Sequence, residues 1–131
     1  MSSISPKLPL YRDSTDGYGS NKTLKDSIQQ NFKCLMLTAP GERMMDPDFG
    51  VGLRRHLFEQ SGTDLSNKIK ERIRKQTKKY LPFIKILNIR VLSDGDSEAQ
   101  SSTSAYSLRV QIVYNITPLQ IQDTLQIGIN N

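Results

Sequence analysis

The sequence predicts an α+β fold: three N-terminal helices packed on one face of a small three-stranded, mainly antiparallel sheet. Three observations carry that expectation. Apolar residues recur at helical spacing as far as Tyr80, and at a spacing of two beyond Pro82. In the later segments one phase is almost wholly apolar and the other polar, the pattern of a sheet with a single packed face. Helices come first and strands afterwards, which separates an α+β domain from an alternating α/β one. With 131 residues the chain has the size of one domain, read here as 21–131, preceded by an extended arm over 1–20.

The arm holds prolines, glycines and many Ser/Asp residues, and no apolar stretch of secretory-signal length. The first helix starts after Thr23, whose side chain can cap the opening turn with Asp26 three residues on. Leu24, Ile28, Phe32 and Leu35 form its apolar stripe, and Pro40-Gly41 ends the segment. Asp46-Pro47 reads as a helix start, with Asp as cap and Pro in the first turn. Because Gly50 and Gly52 weaken a helix interior, the second helix is placed over 51–60 with Phe49 as the anchor before it. Ser61-Gly62 breaks it. The third helix runs from Thr63 or Asp64 to Tyr80, with Leu65, Ile69, Ile73 and Tyr80 inward, and Pro82 stops it.

The first strand spans Ile84–Leu92, and its apolar phase slips between Ile86 and Leu87, which predicts a bulge. In the second strand Tyr106, Leu108, Val110, Ile112, Tyr114 and Ile116 share one phase. In the third, Leu119, Ile121, Leu125, Ile127 and Ile129 do so, with Asp123 as the exception. Ser93–Ala105 is polar throughout and reads as a long flexible hairpin loop.

The chemistry-bearing residues are few. Glu42, Asp46, Asp48 and Glu59 crowd one short stretch, and two carboxylates sharing a cleft would suit a muramidase. Against that stand the absence of any Trp to carry a sugar ring and the structural work open to each carboxylate: Glu42 pairing with a neighbouring Arg, Asp46 and Asp48 serving helix starts. His56 is the only histidine and Cys34 the only cysteine, so no metal site of ordinary spacing can be written and no internal disulfide exists. Cys34 beside an apolar stripe reads as an inert thiol in a reducing compartment. Gly17–Thr23 lacks the strand and the Gly-Lys step of a phosphate loop. No run is apolar enough to span a membrane. The net charge of +5 concentrates in the third helix, where Lys68, Lys70, Arg72, Arg74, Lys75, Lys78 and Lys79 face Glu71 alone. That pattern suits a solvated face, an acidic protein partner or, less well without interleaved aromatics, a nucleic acid.

One composite pattern is specific. Pro40-Gly41-Glu42-Arg43, then Asp46-Pro47-Asp48-Phe49-Gly50, then Leu57-Phe58-Glu59 resembles the motif of the baseplate-wedge family of contractile tails. Members of that family sit in phage baseplates, type VI secretion baseplates and related injection machines, and some carry the label lysozyme-like. The likeness runs from about Leu24 to Ile129. It departs from the family at Leu81-Pro82-Phe83, where many members have Glu-Pro-Arg. The resemblance implies a structural, non-enzymatic wedge subunit of a contractile phage tail, found in the virion and assembled in the host cytoplasm. It implies no cofactor, no metal, no membrane and no specific nucleic acid. Its implied partners are other wedge subunits, through their core helical bundle at Leu81, Pro82 and Phe83, and the tail sheath protein. The sheath would add strands to the sheet near Leu125, Gln126, Ile127 and Ile129. Leu37 to Gln60 would then be a rigid corner, in which turn, cap, Phe49 and a Glu42–Arg43 ion pair fix the second helix against the sheet.

Overall fold

The computed structural model describes residues 3–59, 63–93, 107–117 and 119–130. The expected break at Ser61-Gly62, all but the first residue of the loop read over Ser93–Ala105, and Tyr106 lie outside them. Among the described residues there are two α-helices, one 3-10 helix and seven strands in three sheets, which replaces the expected three helices on one sheet. The chain divides into two compact units, Met1–Cys34 and Leu35–Asn131.

In the first unit the expected extended arm is folded on itself. Strand β1 (Ser5–Pro6) pairs antiparallel with β4 (Ser20–Asn21), and β2 (Arg12–Asp13) with β3 (Gly17–Tyr18). The hairpin between β2 and β3 closes because the Asp13 carboxylate accepts the Thr15 N–H at 3.3 Å, a local bond that favours a turn. Two amides then tie the arm to helix α1 (Leu24–Leu37). Buried Asn21 donates to Ser5 Oγ at 3.1 Å and to Gln30 Oε1 at 3.0 Å. Gln30 donates to the Pro6 carbonyl and accepts from the Leu8 N–H, each at 3.0 Å. The α1 cap is as expected: the Asp26 N–H donates to Thr23 Oγ1 at 3.2 Å and the Thr23 hydroxyl returns a bond to Asp26 at 2.6 Å. Ile28 and Phe32 are buried, whereas Leu24 is exposed.

The second unit contains the end of α1, a 3-10 helix over Leu53–Phe58, helix α2 (Thr63–Tyr80) and strands β5 (Ile84–Ser93), β6 (Ser107–Ile116) and β7 (Ile121–Asn130). The strands form one antiparallel sheet in the order β5-β6-β7. Alternation fixes its packed face: Leu108, Val110, Ile112, Tyr114 and Ile116 of β6 and Leu125, Ile127 and Ile129 of β7 are buried. The phase slip in β5 is a bulge, since Ile86 faces Tyr114 and Asn88 faces Val113, leaving Leu87 as the extra, exposed residue. Without it Ile89 would turn away from the core.

The helix expected over 51–60 is the 3-10 run instead. Gly50 (φ +110°) and Gly52 (φ +69°) are both left-handed, so no α-helix can begin before Leu53. Asp46-Pro47 correspondingly starts no helix.

Asp123, the polar exception in β7, sits opposite Tyr114, whose hydroxyl donates to it at 3.3 Å. Burial, and then the Asp123 carboxylate, hold the Tyr114 phenol well above its ordinary range. A raised folded-state pKa gives stability that is complete below the unfolded value, about 10, and is lost as pH rises beyond it. Urea midpoints of the protein should therefore hold up to about pH 10 and fall progressively above it, and Tyr114→Phe should flatten that fall. Parallel losses in the two proteins would show that another group is responsible.

Candidate functional site

Residues 39–59, which carry the composite motif, fold into a tight corner held by a series of backbone hydrogen bonds. Ala39-Pro40-Gly41-Glu42 is a turn with Gly41 at φ +92°, closed by the Glu42 N–H on the Ala39 carbonyl at 3.1 Å. The Glu42 carboxylate reaches back to the Ala39 N–H, also at 3.1 Å. Gly41 donates to the Pro47 carbonyl at 2.8 Å, and Phe49 to that of Asp46 at 3.2 Å. These bonds pinch off a loop whose tip, Met44 and Met45, is 96% and 98% exposed.

The chain then passes the end of α1. Val51 donates to the Leu35 carbonyl at 3.1 Å and Gly52 to that of Thr38 at 3.0 Å, satisfying acceptors that a helix end leaves unpaired. The approach is so close that a Cβ on Gly50 would strike the Thr38 carbonyl oxygen. From the other side α2 grips the same backbone. Gln76, only 2% exposed, accepts the Gly50 N–H at 3.1 Å and donates to the Asp48 carbonyl at 2.9 Å. Arg72 donates to the Asp48 and Gly50 carbonyls at 3.3 and 3.2 Å. Arg55, from the 3-10 helix, braces the Pro40 carbonyl at 2.8 Å.

Side chains complete the corner. Phe49 is buried, edge-on to Tyr80 with centroids 4.9 Å apart. The Arg43 guanidinium lies 3.8 Å from the Phe49 centroid and the Lys79 ammonium 5.0 Å from that of Tyr80, so two cations bracket two rings. Burial, and then the nearby Asp46 carboxylate, raise the Tyr80 phenol above its usual range. The expected Glu42–Arg43 ion pair does not form: Glu42 serves the turn and Arg43 the ring. Leu53 is fully buried and Leu57 half-buried. The side chain of Phe58 lies outside the described residues. His56 and Glu59 bond each other at 3.1 Å. No group of three or more metal-ligating side chains occurs among the described residues.

The other predicted positions lie elsewhere. Leu81, Pro82 and Phe83 form the turn from α2 into β5, with the Ile84 N–H on the Leu81 carbonyl at 3.0 Å and the Thr117 N–H on that of Phe83 at 3.0 Å. Leu81 and Phe83 are half-buried and Pro82 is exposed. Leu125, Ile127 and Ile129 face the core and Gln126 solvent, on an edge strand with no second neighbour among the described strands. Sequence reasoning missed Gln76 and Arg72, the residues that grip the corner. A signal existed for Gln76: it falls three residues after Ile73 on the buried face of α2, a polar residue in a core position.

The model of the family described as baseplate wedge protein gp25 matches residues 22–118. No curated protein matches the chain. Among solved structures, a Geobacter sulfurreducens protein described as a candidate tail lysozyme shares the fold at a TM-score of 0.66 and 21% identity, over 84% of this chain and 93% of its own. A chain of the anti-feeding prophage baseplate aligns at 0.68 and 22% identity, over 88% and 86%. A chain of the post-contraction pyocin R2 baseplate aligns at 0.52 and 18%, over 93% and 98%.

Gln76→Leu should leave the Gly50 N–H unpaired and lower the unfolding free energy by about 1–3 kcal/mol. Gly50→Ala adds a backbone clash at positive φ and should lower it at least as far. Urea midpoints report both, and an unchanged midpoint in Gln76→Leu would remove the grip from the account.

Proposed function

The chain belongs to the baseplate wedge protein gp25 family and is a structural component of a contractile-tail baseplate, and on that premise we propose that its sheet templates the growth of the sheath. The observation that carries the reading is the sheet itself. It has three strands, one packed face, and flanking strands β5 and β7 with no outer neighbour among the described residues. An uncovered edge presents N–H and C=O groups to an incoming strand, and backbone pairing of that kind needs no matching sequence. The sheath protein is the proposed donor, and Leu125–Ile129 of β7 the proposed acceptor.

The second proposed contact is Leu81-Pro82-Phe83, against the helical bundle of the other wedge subunits. An exposed proline between two half-buried apolar residues supports an apolar contact there. Burying a Phe contributes roughly 1.5–3 kcal/mol, against about 0–1 kcal/mol for an exposed ion pair, so the loss of the family's charges need not weaken docking. The corner of residues 39–59 holds α1, α2 and the intervening chain in fixed register, as a part that bears force requires. We read its carboxylates as structural and the protein as no enzyme. Glu42 serves the Ala39 N–H and Glu59 serves His56. Release of muropeptides from cell wall by the purified protein, abolished in Glu42→Gln, would favour the muramidase reading instead.

Prolines placed singly across Gln126–Gly128 should separate outward-bonding from inward-bonding positions. Ile127 is itself buried, so a proline there also removes core. The variant whose isolated melt is unchanged should fail to nucleate sheath, and normal sheath growth from it would exclude β7 as the template. Phe83→Ala should weaken binding to the wedge by about one to two decades while the isolated melt changes little. A loss of about 3 kcal/mol or more in the isolated protein would instead make Phe83 a core residue.

A further inference from the structure

Most of the charge of helix α2 is used by neither the corner nor the sheet. Between Lys68 and Lys79 it carries seven basic side chains and one acidic one. Arg72 turns inward to the Asp48 and Gly50 carbonyls. Lys68, Arg74, Lys75, Lys78 and Lys79 are exposed and Lys70 is half-buried. Among the described residues none of these six forms an ion pair with a carboxylate; Lys79 alone is engaged, over the Tyr80 ring.

Two ordinary explanations fall short. Cations in the last turn of a helix are favoured by its dipole, which accounts for Lys78 and Lys79, but that effect fades within one turn and leaves Lys68, Lys70, Arg74 and Lys75. A merely solvated face gains from mixed signs at i,i+4. Here Lys68–Arg72, Lys70–Arg74, Arg74–Lys78 and Lys75–Lys79 are like-charged at that spacing and outnumber the opposite-sign pairs Asp64–Lys68 and Glu71–Lys75, a balance that destabilises the isolated helix. A predominantly cationic face of this kind gains stability when an anionic surface lies against it.

We propose that the exposed basic flanks of α2 are a docking surface for an acidic face of a neighbouring protein subunit. Protein is favoured over nucleic acid by what the surface lacks. Tyr80, the only aromatic of the helix, is packed edge-on to Phe49, and Gln76 is buried, so neither offers a base a platform or an edge to pair with. The surface rests on membership of a multi-subunit assembly and not on strand addition or on Leu81–Phe83, so failure of either leaves it standing.

Fluorescence anisotropy on the full-length protein tests it, with an oligoglutamate and a DNA duplex of equal charge as probes across a salt series. Replacing Lys70, Arg74, Lys75 and Lys78 by Gln should weaken oligoglutamate binding by about tenfold or more. Replacing Lys7, Arg12, Lys33 and Lys85 by Gln removes the same charge elsewhere and should weaken it by less than about threefold. Equal losses would show that net charge alone attracts the probe and would overturn the proposal. Tighter binding of the duplex, lost through the α2 substitutions, would overturn it in favour of nucleic acid. In assembled baseplates, zero-length carbodiimide coupling should join α2 lysines to Asp or Glu of another subunit, and its absence would overturn it equally.

Discussion

The second unit depends on one buried amide. Gln76 takes the Gly50 N–H and the Asp48 carbonyl into a two-point grip from the middle of an otherwise apolar helix face. Those backbone groups lie in a segment outside any helix or strand, with Gly50 at positive φ, so no regular element satisfies them. A buried N–H with no acceptor is among the more costly defects a fold can carry. The grip therefore decides where residues 48–50 lie, and with them every contact of the corner.

From that point the constraints propagate in both directions along the chain. Toward the N-terminus, Gly50, Val51 and Gly52 are pressed against the end of α1, whose last carbonyls they satisfy. Toward the C-terminus, Leu53 is delivered to the core and Arg55 back to the Pro40 carbonyl. Phe49, the residue between the two grips, is fixed against Tyr80 and covered by Arg43. Glycines permit the path, polar groups hold it, and the aromatic pair seals it. An element built this way has little freedom to yield, which suits a baseplate part better than it suits a site that must open and close around a substrate.

The sheet and α2 present a different kind of surface. One sheet face is packed and the outer strands have no second neighbour among the described residues, while α2 directs apolar residues, Gln76 and Arg72 inward and its other cations outward. A single rigid corner thus orients three chemically distinct faces: a backbone edge, an apolar turn at Leu81–Phe83 and a cationic helix flank. As proposed contacts they would each act through a different interaction, so each could be weakened without disturbing the others.

Much of this was determined by the sequence alone. Periodicity placed α1, α2 and the three long strands, Thr23 and Asp26 placed the cap, the phase slip placed the bulge, and the spacing of Pro40 to Glu59 pointed to the family. These features are local, and a chain enforces them through nearest neighbours and one-sided burial. Only the tertiary structure decided the rest. The supposed second helix became a 3-10 run over Leu53–Phe58, preceded by Gly50 and Gly52 at positive φ where the chain bonds the end of α1. The arm was folded on itself because Gln30 gives its backbone partners at Pro6 and Leu8 and Asn21 joins Ser5 to Gln30. Glu42 and Arg43 went to an amide and a ring in place of each other. In each case the folded path of the chain decided which groups came within reach, and no period or local pattern records that path.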